Sequence, residues 1–244
     1  MKNKNRQPFT REEVKSANRE YFDASASFYE EIDGRRGERL ASYLDGRLED
    51  IARDRRNVRL LDLGCGSGFV ASRALRIFKT VIGVDISEKI MREGRRRYSA
   101  VQFAAADSDT LPFRNETFDA VVAVALLHHL FDHRLTFKEV FRILRPGGIF
   151  LTDHDLEEKF RTIFRLPLSL YRFFRNEEKR YASACPQLTG RIYRATEVHR
   201  EGLDPRQLKE MLRKAGFRDI EIRCHWLGLS PIFDRIGRLI NRNG

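Results

Sequence analysis

The sequence predicts a doubly wound α/β fold, in which helices cover both faces of a mostly parallel sheet. Five short apolar runs alternate with helical patterns between residues 58 and 155, as in successive βαβ units. One run is almost continuously apolar, which is typical of a central parallel strand. In such a sheet a ligand binds at the carboxyl ends of the strands.

The predicted strands and helices follow each other in a regular order. The first strand, Leu60–Leu63, runs into a glycine-rich turn, and a helix is predicted from Phe69 to Phe78. The second and third strands each end in a carboxylate, and a Pro-Gly-Gly turn precedes the fifth. The other predicted strands are Thr80–Asp85, Val101–Asp107, Phe118–Leu126 and Ile149–Asp153.

The glycine-rich turn is the first candidate binding element. Gly64, Gly66 and Gly68 lack the Cβ atoms that would block a ligand or forbid a positive φ. The helix that follows points its N-terminus at whatever lies on the turn. Short glycine turns also close purely structural strand-to-helix junctions, so the turn alone does not decide between the two interpretations.

Two carboxylates follow predicted strands at positions where a nucleotide-like ligand can bind. Asp85 ends the second strand about 20 residues beyond the glycines, where a dinucleotide-binding unit places the acid that binds a ribose diol. A carboxylate suits this task because it only accepts hydrogen bonds and can accept two hydroxyls at once. Asp107 ends the third strand. Both also have a structural interpretation, in which Asp85 caps the helix that begins at Ser87 and Asp107 caps a turn.

Five linked motifs carry a resemblance to a known family. The order LLDLGCGSG, VIGVDIS, AAADSDTLPF, FDAVVAVALLHHL and EVFRILRPGGIFLTD resembles the class I S-adenosylmethionine (SAM)-dependent methyltransferases, especially the branch that acts on small molecules and lipid quinones. The similarity is close over about residues 58–155 and looser over Leu208–Phe217. A nucleotide-binding oxidoreductase is disfavoured, because its G-x-G-x-x-G fingerprint needs the third glycine one residue later.

This resemblance implies a SAM site along the carboxyl ends of the strands. The turn Gly64–Gly68 would wrap the methionine part of SAM, with Asp62 near its ammonium group. Asp85 would bind the ribose hydroxyls, Asp107 would accept from the adenine amino group, and Tyr21 or Tyr29 would cover the cofactor. The implied cofactor-binding residues are Asp62, Gly64, Cys65, Gly66, Gly68, Asp85, Ile86, Asp107, Ser108, Ala125 and Tyr21. The product would be S-adenosyl-L-homocysteine.

The resemblance also implies how the rest of the chain is organised. One methyltransferase domain, 1–244, would contain a Rossmann-like sheet of seven strands, since a chain of this length can bury a full α/β core without splitting in two. The last strand, after Ile220–Trp226, cannot be placed from the sequence. The predicted parts are an N-terminal helical cap (1–55), a SAM-binding core (56–155), a helical lid insert (156–200), and a C-terminal core helix, strand and amphipathic tail (201–244).

Two segments outside the core keep two interpretations each. The N-terminal helix around residues 17–33 either closes over the active site or packs as an ordinary amphipathic helix. The insert alternates apolar residues with arginines between Phe160 and Arg175. It forms either a lid that excludes water from the sulfonium or a basic surface that rests on a membrane holding a lipid acceptor. Pro167 divides any long helix there, which slightly favours the lid.

A general base is expected among the histidines near the ends of the fourth and fifth strands. Positions just past those strands face the cofactor crevice, and imidazole has a pKa suited to proton removal near neutrality. Isolated histidines are also often structural. A metal site in the run Asp153–Asp155 is disfavoured, because three consecutive side chains do not point one way, and no metal is predicted. The candidates are His128, His129 and His154, with Asp153, Glu197 and His199 as further options.

The net charge of +11 raises the question of an anionic partner. Nucleic acid and an anionic membrane surface both fit this charge. Nucleic acid is the less favoured, because the arginines near residues 92–97 are not interleaved with aromatic residues. The Asn-Pro-Pro-aromatic signature of nucleic-acid amino-methyltransferases is also replaced by Leu126–Leu130. Peripheral contact with an anionic membrane and a simply solvated basic surface both stay open.

Other features favour a cytoplasmic protein. No apolar run reaches the roughly 18 residues that span a bilayer, and the first residues are polar, unlike a secretory signal. The three cysteines are widely spaced, which indicates no disulfide framework. The predicted function is SAM-dependent methylation of a small organic or lipid-like acceptor at O, N or C. The alternatives are an RNA-directed methyltransferase of the same fold and a non-catalytic SAM-binding partner subunit.

Overall fold

A parallel sheet lies at the centre of the protein. The structure, a computed structural model, describes residues 8–30, 37–53, 58–155, 183, 185–188 and 190–223. The strands are β1 (Arg59–Leu63), β2 (Thr80–Asp85), β3 (Gln102–Ala105), β4 (Phe118–Val124) and β5 (Leu144–Asp153). These strands are parallel and lie in the order β3-β2-β1-β4-β5. The helices are α1 (Arg11–Ser25), α2 (Glu38–Ala52), α3 (Phe69–Ala74), α4 (Glu88–Arg97), α5 (His133–Ile143), α6 (Gly190–Thr196) and α7 (Pro205–Ala215), with a 3₁₀ turn at Leu127–His129.

Helices pack on both faces of the sheet. One face is covered by α2 and α3, whose buried Leu48 and Ala74 belong to the same cluster as Leu60 of β1. On the other face, Val140 of α5 shares a cluster with Leu61 of β1. Neighbouring residues of one strand therefore point into opposite hydrophobic layers, as expected for a central strand buried on both sides.

The order of the strands reverses at β1. From there β2 and β3 extend to one side, and β4 and β5 extend to the other. The carboxyl ends of β1 and β4 flank the crevice in which doubly wound sheets bind ligands. The two loops at this crevice pack tightly, since a Cβ on Gly64 would lie 2.7 Å from Cδ1 of Leu126.

Side-chain caps set where several helices begin. Thr10 and Glu13 form a capping box at the start of α1, and the Ser87 hydroxyl accepts a hydrogen bond from the first turn of α4. In α7, the Asp204 cap precedes a proline in the first turn, and Gly216 ends the helix with φ of +114°.

The doubly wound α/β fold is confirmed, with corrections to the element ends. The helix predicted to reach Phe78 ends at Ala74, because the next turns form tighter i+3 bonds such as Arg76 N–H to Arg73 O at 3.1 Å. The fifth strand begins before the Pro-Gly-Gly turn, at Leu144, and the register between β4 and β5 shifts across that turn.

Parts of the predicted architecture stay predictions. The described residues contain five of the seven expected strands, and residues 220–223 form no strand. Residues 156–182 and 224–244 lie outside the described residues, and so do the choice between lid and membrane surface and the amphipathic tail. No helix in the described part of the chain is long and apolar enough to cross a bilayer.

Candidate active site

The glycine-rich turn crosses the carboxyl end of β1. Gly64, Gly66 and Gly68 have φ of +70°, +53° and +88°, which favours glycine at each position. The N–H of Gly64 donates to the carbonyl of Val84 at 2.8 Å, so the turn is fixed to β2. A Cβ on Gly68 would lie only 2.6 Å from Cζ of Phe103. The backbone and the packing of the turn therefore require glycine, whatever the turn binds.

Asp85 lies at the end of β2, directly beside this turn. Its Oδ2 accepts from the N–H of Gly66 at 2.8 Å, and its Oδ1 accepts from the N–H of Ser87 at 2.9 Å. The residue is 9% exposed, and the neighbouring Ile86 is half-buried. Ser87, rather than Asp85, is the N-cap residue of α4. The two backbone bonds hold the Asp85 carboxylate in one orientation at the carboxyl end of the sheet.

Two further predicted cofactor residues have clear structural contacts. Asp62 is buried, and its Oδ2 accepts from the N–H of Ala71 at 2.9 Å, which ties β1 to the first turn of α3. Cys65 is also buried and packs with Ile90 and Met91 of α4. Both residues thus shape the turn.

The third strand is followed by a charged cluster. Oδ2 of Asp107 lies 2.6 Å from Nζ of Lys15, and its Oδ1 accepts from the N–H of Asp109 at 2.9 Å. Asp107 therefore does cap a turn. The hydroxyl of Ser108 lies 3.1 Å from the hydroxyl of Thr136 in α5. The roles of Asp107 and Ser108 toward adenine stay predictions.

One face of the N-terminal segment contacts the loops that follow β1 to β4. Arg11, Lys15 and Asn18 are spaced by four and three residues, so they share one face of α1. The contacts are Lys15 with Asp107 and Asp109, Arg11 with Asp109, Asn18 with the carbonyl of His129, Asp23 with the hydroxyl of Ser87, and Glu30 with Ser67 and Arg97. These bonds connect α1 and the turn after it to four loops at the predicted site.

The aromatic residues of the N-terminal segment pack against two clusters, and Phe22 and Tyr29 contact both. Tyr21 is buried in a cluster with Cys185 and Leu188, and its ring meets the ring of Phe22 edge-on at 5.2 Å. Phe22 and Tyr29 pack in the cluster that contains Cys65. Of the two tyrosines predicted to cover the cofactor, Tyr29 is the one that packs against the cluster containing Cys65 of the turn.

Two residues past the fourth and fifth strands have an unusual backbone conformation. Ala125 and His154 have φ of +55° and +62°. The N–H of Ala125 donates to the carbonyl of Asp153 at 2.8 Å, so the two strand ends are joined at this point. A left-handed conformation costs an L-residue roughly 1–2 kcal/mol, and such costs concentrate at functional sites.

His128 forms an imidazole–carboxylate pair. Its Nδ1 lies 2.7 Å from Oδ1 of Asp155, which also accepts from the backbone N–H of His128 at 3.0 Å. Because an ionised carboxylate only accepts hydrogen bonds, the proton of the neutral ring is on Nδ1 and the lone pair is on Nε2. That Nε2 lies 4.0 Å from Oε1 of Glu197.

His129 lies against His128, with 4.0 Å between the ring centroids. Nδ1 of His129 lies 2.8 Å from the carbonyl oxygen of Thr196, so this nitrogen donates. Burial, and then the neighbouring His128, lower the pKa of His129 to about 4. Burial, and then His133, lower the pKa of His199 to about 4 as well. These rings are therefore neutral near neutral pH.

His154 belongs to a different polar group. Asp153 accepts from the hydroxyl of Tyr43 at 2.7 Å and from the N–H of His154 at 2.6 Å. Burial, followed by the hydrogen bond to Asp153, raises the pKa of Tyr43. The ring of His154 lies 6.0 Å from the ring of Tyr43. The three predicted bases are thus divided between the His128–His129 pair and a group next to α2.

Sequence reasoning missed several residues of this region. Asp155 entered only as a disfavoured metal ligand, although a carboxylate two residues past a strand end was a signal for a partner of His128. The polar face of α1 was visible in the spacing of Arg11, Lys15 and Asn18. Thr196, which holds His129 through its carbonyl, had no signal, since any residue can supply a carbonyl.

The described residues define a Rossmann-like α/β fold, and comparisons with known proteins find this fold among methyltransferases. A SAM-dependent methyltransferase from Thermotoga maritima superposes with a TM-score of 0.55 at 22% identity, covering 82% of this chain and 81% of that one. This likeness concerns the fold. Residues 61–152 match the model of a methyltransferase domain family.

Curated relatives identify the family. A demethylmenaquinone methyltransferase of Clavibacter sepedonicus is 30% identical over 68% of this chain and 67% of its own length. The 27-O-demethylrifamycin SV methyltransferase of Amycolatopsis mediterranei is 37% identical over 52% of this chain. The chain spans 47% of the length of that relative. The protein belongs to the class I SAM-dependent methyltransferase family.

Proposed function

We propose that this protein transfers the methyl group of SAM to a small organic or lipid-like acceptor. Membership of the methyltransferase family supports the reaction class. The names of the two curated relatives, which specify a rifamycin derivative and demethylmenaquinone, support an acceptor of this kind.

The observation that carries the proposal is the position of the Asp85 carboxylate. Its two backbone bonds, to the N–H groups of Gly66 and Ser87, orient it beside the glycine turn. A carboxylate has about four lone-pair sites, so these two bonds are compatible with accepting the hydroxyls of a ribose diol. SAM would supply an activated methyl group on a sulfonium, and the protein would mainly align the acceptor with it.

We propose that the N-terminal segment covers this cofactor region. Its contacts with the loops after β1 to β4 support a covering role, and Tyr29 packs near the glycine turn. Asp107 is paired with Lys15, so an adenine amino group would share that carboxylate with the lysine.

For the acceptor, we propose His128 as the general base. Asp155 fixes the ring through Nδ1, so Nε2 is the nitrogen that can accept a proton from a hydroxyl. His129 is a weaker candidate, because its lowered pKa makes the ring a poor base. His154 stays a candidate in its separate group with Asp153 and Tyr43.

Calorimetric titration with SAM and S-adenosyl-L-homocysteine tests the cofactor site. Asp85→Asn keeps the side-chain shape but replaces one acceptor oxygen by a donor, so we expect the affinity for both ligands to fall about tenfold or more. Asp50→Asn is the control, because Asp50 pairs with surface arginines of α2 and the residue after it. A folded wild type that binds neither ligand would contradict the proposal.

A second measurement tests the acceptor class. Wild type is incubated with SAM and a panel of apolar phenols and quinols, and release of S-adenosyl-L-homocysteine is measured. Turnover of members of this panel would support a small-molecule methyltransferase. Cofactor binding with turnover only on RNA would overturn the acceptor class, and cofactor binding with no turnover on either would favour a non-catalytic SAM-binding subunit.

A further inference from the structure

Three side chains of types that can bind a metal ion lie close together near the carboxyl end of β4. His128 and His129 lie in the 3₁₀ turn after β4, and Glu197 directly follows α6. One ring nitrogen from each histidine and one oxygen of Glu197 all lie within 4.8 Å of one another. Segments about 70 residues apart in the chain thus bring two imidazoles and a carboxylate to one point.

Each histidine is held by an acceptor on Nδ1. Asp155 holds His128 at 2.7 Å, and the carbonyl of Thr196 holds His129 at 2.8 Å. Metal-binding histidines in proteins characteristically donate their second ring N–H to a carboxylate or a carbonyl, which fixes the tautomer and the ring orientation. Asp155 and the carbonyl of Thr196 therefore already provide such acceptors for the two histidines.

The electrostatics of the cluster also suit a cation. The carboxylate of Asp155 lies at Nδ1 of His128, and the carboxylate of Glu197 lies near its Nε2. An ion at this point would therefore lie near two carboxylates, within a chain whose net charge is +11.

We propose that His128, His129 and Glu197 form a binding site for a divalent transition-metal ion of the zinc type. Two imidazoles and one carboxylate are a donor set typical of zinc, whereas magnesium and calcium prefer oxygen ligands. Adjacent ligands of a tetrahedral zinc ion lie about 3.4 Å apart, so the three side chains must approach by about 1 Å. Glu197 has the long side chain needed for this movement. The fourth position would be left to water.

Metal binding would block the proposed reaction. The lone pair on Nε2 of His128 can bind either the metal or the proton of an acceptor. This consequence rests on the proposed function, because it assumes that His128 is the base. The site itself does not depend on that assumption.

Calorimetric titration of the full-length, untagged and chelator-treated protein with Zn²⁺ tests the site. We expect one ion per chain, and we expect Glu197→Gln and His128→Gln each to weaken binding by about tenfold or more. Glu210→Gln is the matched control, because Glu210 is exposed on α7 and pairs with Lys214. Binding that is absent, or equal in wild type and in both variants, would overturn the site.

The absorption spectrum of the Co²⁺-substituted wild type identifies the type of ligand atoms, in addition to the affinities of the variants. We expect the visible absorption of a four-coordinate nitrogen and oxygen site, lost in Glu197→Gln. A strong thiolate-to-cobalt band would assign the ion to cysteine instead and overturn the proposal.

Zinc inhibition of S-adenosyl-L-homocysteine release, with unchanged SAM affinity, would support the blocking role. Zinc binding in a protein without SAM binding would instead leave the site standing and contradict the proposed function.

Discussion

The carboxyl edge of the sheet has two halves that are built differently. In the half formed by β1, β2 and β3, glycines occupy the positions with positive φ. There Asp62 and Asp85 accept from backbone N–H groups that are 2 to 19 residues away in the chain. In the half formed by β4 and β5, Ala125 and His154 have positive φ instead. There the histidines depend on Asp155 and Thr196.

This difference matches two different tasks. A cofactor that is the same throughout a family can be held by a local turn and fixed carboxylates. An acceptor that differs between relatives needs side chains contributed by separate segments, which can be exchanged without rebuilding the sheet. We therefore assign cofactor affinity to the first half and turnover of the acceptor to the second, as a hypothesis that substitutions can break.

The largest effect is expected from His128→Asn. Loss of a general base lowers kcat by about 10²- to 10⁴-fold. The affinity for SAM should change by less than about twofold, because the substitution lies in the other half of the edge. Steady-state kinetics with any acceptor that turns over, combined with calorimetry for SAM, measures both quantities.

Asp155→Asn is the companion to this variant. It should lower kcat without changing KM for the acceptor, since Asp155 holds His128 and is not expected to contact the acceptor. An equal loss of SAM affinity in either variant would show that the two halves do not act separately.

Asp62→Ala should lower the free energy of unfolding by about 1–3 kcal/mol. The substitution leaves the N–H of Ala71 without its buried acceptor. Urea denaturation measures the change, and Asp50→Ala, at the surface, should stay within about 0.5 kcal/mol of wild type. If Asp62→Ala left the free energy of unfolding unchanged, the Asp62 carboxylate would not stabilise the cofactor half.

Gly68→Ala and Gly46→Ala should change stability in opposite directions. Ala at 68 must adopt a positive φ and displace the ring of Phe103, so we expect a loss of about 1–2 kcal/mol or more. Gly46 lies inside α2 with no atom within 4 Å of a new Cβ, so Ala there should gain about 0.5–1 kcal/mol. Equal effects would show that the glycine turn is not conformationally constrained in solution.

The local structure of the cofactor half could be predicted from the sequence better than the contacts of the acceptor half, for a physical reason. The glycine turn and Asp85 lie about 20 residues apart, and their partners are backbone groups in the same βα units. Apolar runs and a glycine-rich turn are local patterns, so the order of strands and helices could be read directly from them. The element ends were less certain, as at Ala74 and Leu144, because tight turns and bulges decide them.

The acceptor half depends on long-range contacts. His128 was a candidate from the sequence, but its partner Asp155 and the approach of Glu197 become visible only once β4, β5 and α6 are packed together. Lys15 was not expected at Asp107 for the same reason. The seven-stranded sheet, the lid insert and the cofactor roles of individual residues stay predictions.

The smallest effect is expected from Ala125→Gly. Glycine removes the cost of the left-handed conformation at φ of +55°, about 1–2 kcal/mol, but increases the entropy of the unfolded chain by about 0.4–1 kcal/mol. The net change should therefore be a small gain in the free energy of unfolding, of the order of 1 kcal/mol or less. Ala105→Gly, at an exposed position of β3, is the matched control and should lose about 0.5–1 kcal/mol. If Ala125→Gly loses as much as the control, Ala125 does not hold its left-handed conformation in solution. The contrast between a glycine-built cofactor half and a strained acceptor half would then fail at this residue.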